Sequence, residues 1–524
     1  MSSVPAIDAP LAETAPPGRL SGRMRGTGRL VPLAILSAWS ALALTLAAGH
    51  EMWRDEVRAL SLAIDPPTVA AMLDGLRGEG HPALWYLILR TAHGLTGSLA
   101  VLPVCAFLAA AAGVAFLLLR APFHPALKLL LAFSAFLAVE FPVLARNYGL
   151  SLLPMFVFAA YYDRWRERGV GLGLTLAILA NTNVHSAIVA LVLLGMWLLE
   201  VLRENGWRWS RPLAVYLVNA AIAGVGLLLA AAIVRGPAND AITSALPRAG
   251  LAEALRAVVD PGWAFRDLAP FLPSFLLTGL LLASLLTFRA RPAQGLAAIA
   301  SLVLFALLFT LGYPGQYRHL GIWCSLVIAL AWIAGLRARR DAASEDGASA
   351  RLGRGALFLI LIMQVSMTAG IVVDSLQRPW SSSAAAAAWL KADPRFAEAV
   401  VMAEPDFNVE PLRYYGFERT YLLREKRFGH VVNFTRNAQL DATLGDVLAM
   451  GQRLRREAGG EVVLLIPTEV VLDPALPERR FLAGYNWTFT ASPDDVKAFL
   501  DGTEFLARFE NSRQGENYAL YRVR

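Results

Sequence analysis

The feature that most constrains this chain is a series of apolar runs, each about 20 residues long, separated by loops that alternate between arginine-rich and arginine-poor. A helix of about 20 mostly apolar residues crosses a bilayer, because it satisfies every backbone polar group internally. The runs fall at 30–49, 99–119, 126–144, 149–162, 171–183, 185–202, 213–234, 270–288, 295–312, 320–336 and 355–373. They predict an α-helical polytopic membrane protein with about eleven transmembrane helices. The fourth and fifth runs are short, so kinks or extension into flanking polar residues are expected there. Only 17% of the residues are charged, against about 25% in soluble domains.

The loops orient the helices. Arg19, Arg23, Arg25 and Arg29 precede the first run, which places the N-terminus in the cytoplasm. Basic residues then recur in every second loop: Arg120 and Lys128, then Arg164, Arg166 and Arg168, then Arg203, Arg208 and Arg211, then Arg289 and Arg291, and finally Arg337 to Arg354. The net charge of +7 sits in these loops. It reads as topology, with membrane lipids rather than nucleic acid as the expected surroundings. The alternation survives only if residues 81–97, apolar but interrupted by Arg90 and His93, stay in the membrane interface. Residues 50–98 are therefore expected to form a long outer loop with two interfacial helices. A loop that long inside a compact bundle is usually functional.

Residues 1–28 read as a disordered cytoplasmic tail, 29–374 as the transmembrane domain and 375–524 as a C-terminal extracytoplasmic α/β domain. In the last, 398–403 and 461–467 read as buried strands. Residues 440–458 read as an amphipathic helix between them, and 505–509 with 518–523 as a closing strand pair. No glycine-rich phosphate loop follows either buried strand, which argues against a nucleotide site. Cys105 and Cys324 both lie inside apolar runs, with neither a disulfide framework nor metal-ligand spacing.

Trp53-Arg54-Asp55-Glu56 follows the first run, at its outer end. Several polar groups are expected at the same depth: His81, Glu140, Arg146, Tyr148, Asn181, Asn183, His185, Tyr313, Gln316, Tyr317, Arg318 and His319. Intramembrane or interfacial charge usually faces a cavity or a partner. Each group alone also has a structural reading: Asp55 and Glu56 as solvated helix-end charges, Arg146 as a bridge to Glu140, His185 as a hydrogen-bonded core residue, Tyr317 as a belt aromatic, and Arg318 with His319 as a loop cap. Their convergence favours a site. One carboxylate with an arginine cradle suits transfer of a sugar from a lipid phosphate. The phosphate leaves as an anion and needs cations such as Arg146, Arg318 or His319. The attacking hydroxyl needs a base such as Asp55.

These residues resemble the GT-C superfamily of polyprenyl-phosphate-sugar-dependent glycosyltransferases, in particular the bacterial branch related to protein O-mannosyltransferases and to aminoarabinose transferases. The resemblance covers about residues 30–375. It rests on the Asp-Glu pair after the first run, on His81-Pro82-Ala83-Leu84-Trp85-Tyr86, on Ala145-Arg146-Asn147-Tyr148-Gly149-Leu150 and on Tyr317-Arg318. It implies Asp55 as catalytic base, Glu56 in support of the site or acceptor, and Arg146 and Arg318 on the donor phosphate; with the shared depth of the polar groups, His319 is expected beside them on the phosphate, and His81, Tyr148, His185 and Tyr317 along the substrate. Many relatives carry a glutamate directly before the Ala-Arg pair. Leu144 stands there in this chain, with Glu140 four residues earlier, so a second-carboxylate or divalent-cation role stays open and no cofactor is expected. The expected partners are a polyprenyl-phosphate-linked sugar and a lipid, glycan or protein acceptor. The expected location is the bacterial inner membrane with a periplasmic C-terminal domain. A transporter or flippase of lipid-linked sugars and a non-catalytic envelope assembly protein are the competing readings.

Overall fold

The computed structural model describes residues 24–234, 250–341, 347–484 and 486–524. Most of the expected N-terminal tail lies outside them, and the first helix already begins at Met24. Among the described residues, seven helices are long and apolar enough to cross a membrane: Arg29–Ala48, Val101–Arg120, Val184–Asn205, Arg211–Val234, Pro292–Gly312, Tyr317–Ala338 and Ala348–Gln377. The runs at 149–162, 171–183 and 270–288 form the shorter helices Leu152–Trp165, Gly171–Ala180 and Ser274–Leu285.

The run at 126–144 is not one helix. It forms Pro125–Ala132, breaks at Phe133 and Ser134, winds as a π-helix over Phe136–Glu140 and then opens toward Arg146. Broken backbone is tolerated away from water only where neighbours satisfy its freed polar groups. Here Thr368 donates to the Phe133 carbonyl at 2.7 Å and the Trp39 indole to that of Leu137 at 2.9 Å. Phe136, Leu137 and Ala138 are fully buried. Elsewhere small residues bring helices together. A Cβ on Gly226 would lie 2.6 Å from Ala177 Cα, so the helices Arg211–Val234 and Gly171–Ala180 touch backbone to backbone there.

At the bundle end opposite the sheet domain, Glu200 is buried and accepts five hydrogen bonds. They come from Tyr162 at 2.6 Å, Gln294 at 2.8 Å, Arg166 at 3.1 Å, and Arg337 at 2.5 and 2.9 Å. One carboxylate thereby ties four helices together.

The segment 50–98 contains three helices rather than two: Arg54–Ile64, Val69–Gly75 and Leu84–Thr96. The last, at 13 residues, spans only about 20 Å and is too short to cross a hydrocarbon core.

The C-terminal region is an α/β domain. Its six-stranded sheet has the order β3-β2-β1-β5-β9-β8, with β1 Val400–Ala403, β2 Thr420–Leu422, β3 Arg427–Phe428, β5 Val462–Pro467, β8 Thr503–Phe509 and β9 Tyr518–Val523. β1 is parallel to β2 and β5, and β9 is antiparallel to β5 and β8. The expected strands and closing pair are present, and the helix between them is Leu444–Ala458. A second sheet was not anticipated: β4 Asp441–Thr443, β7 Trp487–Ala491 and β6 Arg479–Gly484, in the order β4-β7-β6. Strand alternation feeds two cores. Val401, Val463 and Leu465 face the helix Ser383–Ala392, while Val400, Met402 and Leu464 face Leu444–Ala458 and Pro493–Gly502. This two-sided burial explains the unbroken apolar run of β5.

The domain seats on the 50–98 segment. Arg58 reaches Glu410, and His430 bonds Asp65 at 3.0 Å. Burial opposes a charge on His430, but Asp65 and the Glu418 carbonyl outweigh it and lift its pKa above the usual imidazole value. The contact therefore stabilises fully below about pH 6.5 and weakens as pH rises through the raised folded value.

Three outcomes are expected. Glu200→Ala takes the shared carboxylate from Arg166 and Arg337, leaving them Glu204 and Asp163, and should cost about 3 kcal/mol, read as an earlier thermal transition in detergent. Glu204→Ala, at the exposed rim of the same network, should shift the transition by less than about 1 kcal/mol. His430→Gln should flatten the fall in melting temperature between about pH 6 and pH 8, measured by a pH series.

Candidate functional site

Trp53 is extended, and the helix Arg54–Ile64 starts immediately after it. Asp55 and Glu56 occupy its first turn, where the exposed N–H groups favour negative charge. Adjacent residues on a helix point about 100° apart, so the two acids diverge. Glu56 turns inward and is fully buried. It accepts from the Trp53 N–H at 3.1 Å, the Ala145 N–H at 2.6 Å and His50 Nε2 at 2.8 Å. It does not line the cavity into which Asp55 points.

That cavity holds about 310 Å³. The Asp55 side chain keeps 31% of its surface open to water. Arg318, in the first turn of Tyr317–Asp341, puts Nη2 3.5 Å from Asp55 Oδ2. The buried Nε of Arg318 has no hydrogen-bond partner among the described residues. Arg146, extended at the end of the broken run, donates to the Asp55 carbonyl and to His81 Nε2 at 3.2 Å. Among the described ion pairs it makes none with Glu140, so that bridge does not form. Burial alone would raise the Asp55 carboxyl. Arg146, Arg54, Arg318 and Arg58 overcome this and hold it below the usual carboxylate range.

The neighbours assign the histidine tautomers. The Gln316 N–H donates to His319 Nδ1 at 3.0 Å, so the proton sits on Nε2 and goes to the Tyr148 hydroxyl at 2.9 Å. The Tyr148 proton is then free to face the cavity. His81 accepts from Arg146 through Nε2. Burial, then Arg146, His185 and Arg318, push its pKa well below the usual value against the opposing pull of Asp55, so the ring is neutral near pH 7. His185 stacks on His319 with ring centres 4.2 Å apart. Seven of the nine predicted site residues thus line one cavity: Asp55, His81, Arg146, Tyr148, His185, Arg318 and His319. Glu56 and Tyr317 do not. The Tyr317 hydroxyl is buried elsewhere, without a partner among the described residues.

The opposite wall was not anticipated. Arg58 binds Glu79 in two places, at 3.0 and 2.5 Å, and Glu410 at 2.6 Å. Burial pushes the Glu410 carboxyl up to about 7 despite Arg58. Phe407 and Phe434 of the C-terminal domain roof this side, with the Arg54 guanidinium 4.3 Å from the Phe407 ring centre. Arg58 reads in sequence as part of an amphipathic face. The signal available for Glu79 was its place beside His81 in the same loop, and Glu410 and the two phenylalanines carried none.

The lining holds four arginines against three carboxylates. Arg58 is shared by Glu79 and Glu410, so the positive excess lies around Asp55. Such a site can hold an anion beside a partly hydrated carboxylate. Among the described residues, no group of three His, Cys, Asp or Glu side chains is placed to hold a metal ion. No protein-family model and no curated protein matches the chain.

The two acids should separate experimentally. Glu56→Ala leaves two buried backbone N–H groups and the buried His50 ring nitrogen without their acceptor and should destabilise the protein by about 2–4 kcal/mol. Asp55→Asn should leave the thermal transition within about 1 kcal/mol of wild type. The infrared carboxylate band that disappears in Asp55→Asn should persist in wild type down to about pH 4, because the folded pKa is depressed.

Proposed function

We propose that the chain is an integral membrane glycosyltransferase of GT-C type, moving a sugar from a polyprenyl phosphate to a hydroxyl of a lipid, glycan or protein acceptor. The observation that carries this reading is the water-accessible Asp55 carboxylate beside Arg318, with Arg146 bonded to the Asp55 carbonyl, in a cavity with excess positive charge. In the proposed topology the apolar runs, short helices included, make about eleven crossings of the bacterial inner membrane. The N-terminus is cytoplasmic, and the cavity and C-terminal domain are periplasmic.

In the reaction, the acceptor oxygen attacks the anomeric carbon from the face opposite the phosphate, and the bond from that carbon to the phosphate oxygen breaks. The acceptor proton passes to Asp55, and the phosphate departs with the electron pair of the broken bond. The configuration inverts. Arg318, through its unpartnered Nε, and Arg146 stabilise the leaving charge. Neutral His81 and the Tyr148 hydroxyl orient the sugar. Asp55 has a low pKa and is a weak base, but it is ionised at every physiological pH. It accepts the proton late, once the acceptor oxygen has become acidic by bonding to carbon.

The test is mass spectrometry of envelope glycolipids and glycoproteins in a deletion strain, complemented with wild type or Asp55→Asn. One sugar mass should vanish on deletion and return only with wild type, the variant being slower by about 10²–10⁴. Unchanged glycans, or full restoration by a folded Asp55→Asn protein, would sink the reading in favour of transport or assembly.

A further inference from the structure

The helix that carries Asp55 is held from two sides. From the membrane domain, Glu56 grips Ala145 and Arg146 binds the Asp55 carbonyl. From the C-terminal domain, four contacts reach the same short stretch. The Trp380 N–H donates to Glu51 at 2.8 Å, and the Tyr415 hydroxyl to the Met52 carbonyl at 3.2 Å. Arg58 donates to Glu410 and to the Val432 carbonyl at 2.8 Å. The fourth contact is the closest to Asp55. The Arg54 N–H, first of the helix, donates to Glu516 Oε1 at 3.1 Å.

A first-turn N–H has no partner within its own helix. Here the partner is a carboxylate 462 positions away in the chain, on the connection between β8 and β9. Glu516 is itself fixed. Its Oε2 accepts from Ser381 Oγ at 2.5 Å, and its side chain is 4% exposed. It does not line the cavity. Its carboxylate serves the backbone next to Asp55, with the Arg54 guanidinium 4.0 Å away, and not a substrate.

We propose that Glu516 is a positioning residue for Asp55, so that the C-terminal domain completes the active geometry rather than merely covering it. The argument is one of tolerance. Transfer requires the Asp55 oxygen to meet the acceptor proton in line with the breaking bond, and a displacement of about 1 Å can cost about 10²-fold in rate. A charge-assisted bond to the adjacent amide removes that freedom. This role rests on the transferase reading of Asp55; the anchoring of the helix does not.

The test uses the full chain with Glu516→Ala, Glu516→Gln and Ser381→Ala. Amide hydrogen exchange over residues 50–60 is followed beside steady-state transfer. Glu516→Ala should speed exchange at Arg54 and Asp55 by about tenfold and lower kcat by about 10–100-fold, with KM for the donor nearly unchanged. Glu516→Gln keeps an accepting oxygen and should restore most of both. If Glu516→Ala does not fold, Ser381→Ala, which leaves Oε2 of the carboxylate only the longer bond from Ser383 at 3.4 Å, should show the same changes in smaller measure. Wild-type exchange in these variants, or a loss confined to KM, overturns the proposal. If wild type transfers no sugar, the transferase reading falls and exchange alone decides: faster exchange upholds the anchor, and unchanged exchange removes it.

Discussion

The buried carboxylate of Glu56 is the interaction on which the site depends. It joins the start of one helix, through the Trp53 N–H, to the open backbone that follows the broken third run, through the Ala145 N–H. A neutral side chain could make these bonds, but more weakly, because bonds to an ionised acceptor are stronger. The adjacency of Asp55 and Arg146 follows from it. The two residues are neighbours of the two anchored positions, and each projects from its anchor into the same cavity.

The charges around that cavity are sorted. Arg58 lies between Glu79 and Glu410 and is spent on them, which seals the roof to the segment below. Arg318 is buried yet has a donor without a partner, and its contact to Asp55 is long. A buried guanidinium left in this state is under-satisfied, and an arriving anion would complete it. Two arginines in one cavity thus differ in kind: one is paired on both sides, the other keeps a buried donor without a partner among the described residues.

Much of this was legible in the sequence, and the remainder was hidden for identifiable reasons. Hydropathy located the long helices because it reports side-chain polarity. It missed the break at Phe133 because that break is repaired by Thr368 and Trp39, far away in the chain. The buried strands β1 and β5 were plain from their unbroken apolar runs. The sheet of β4, β6 and β7 was hidden because β4 has three residues and β6 opens on two arginines. Motif order and the shared depth of the polar groups identified seven cavity residues. It failed for Glu56 and Tyr317, each directly beside a cavity residue in the chain and rotated away from it on a helix. The contribution of the C-terminal domain was out of reach, since Glu410, Phe407, Phe434 and Glu516 lie in loops and a short 3₁₀ turn without periodicity.

The broken third run has a consequence for how the protein is made. Residues 126–144 emerge from the ribosome early, but the hydroxyl that satisfies their freed carbonyl is on Thr368. The carboxylate that steadies the first turn near Asp55 comes 462 positions after the residue it binds, at Glu516. A nascent chain can therefore insert its helices in order and still lack these contacts until Thr368 and then Glu516 have been made. Until then the open segment must be sheltered by other helices or by the insertion machinery. A chain cut before Glu516 would keep every membrane helix and lack the partner of the Arg54 N–H.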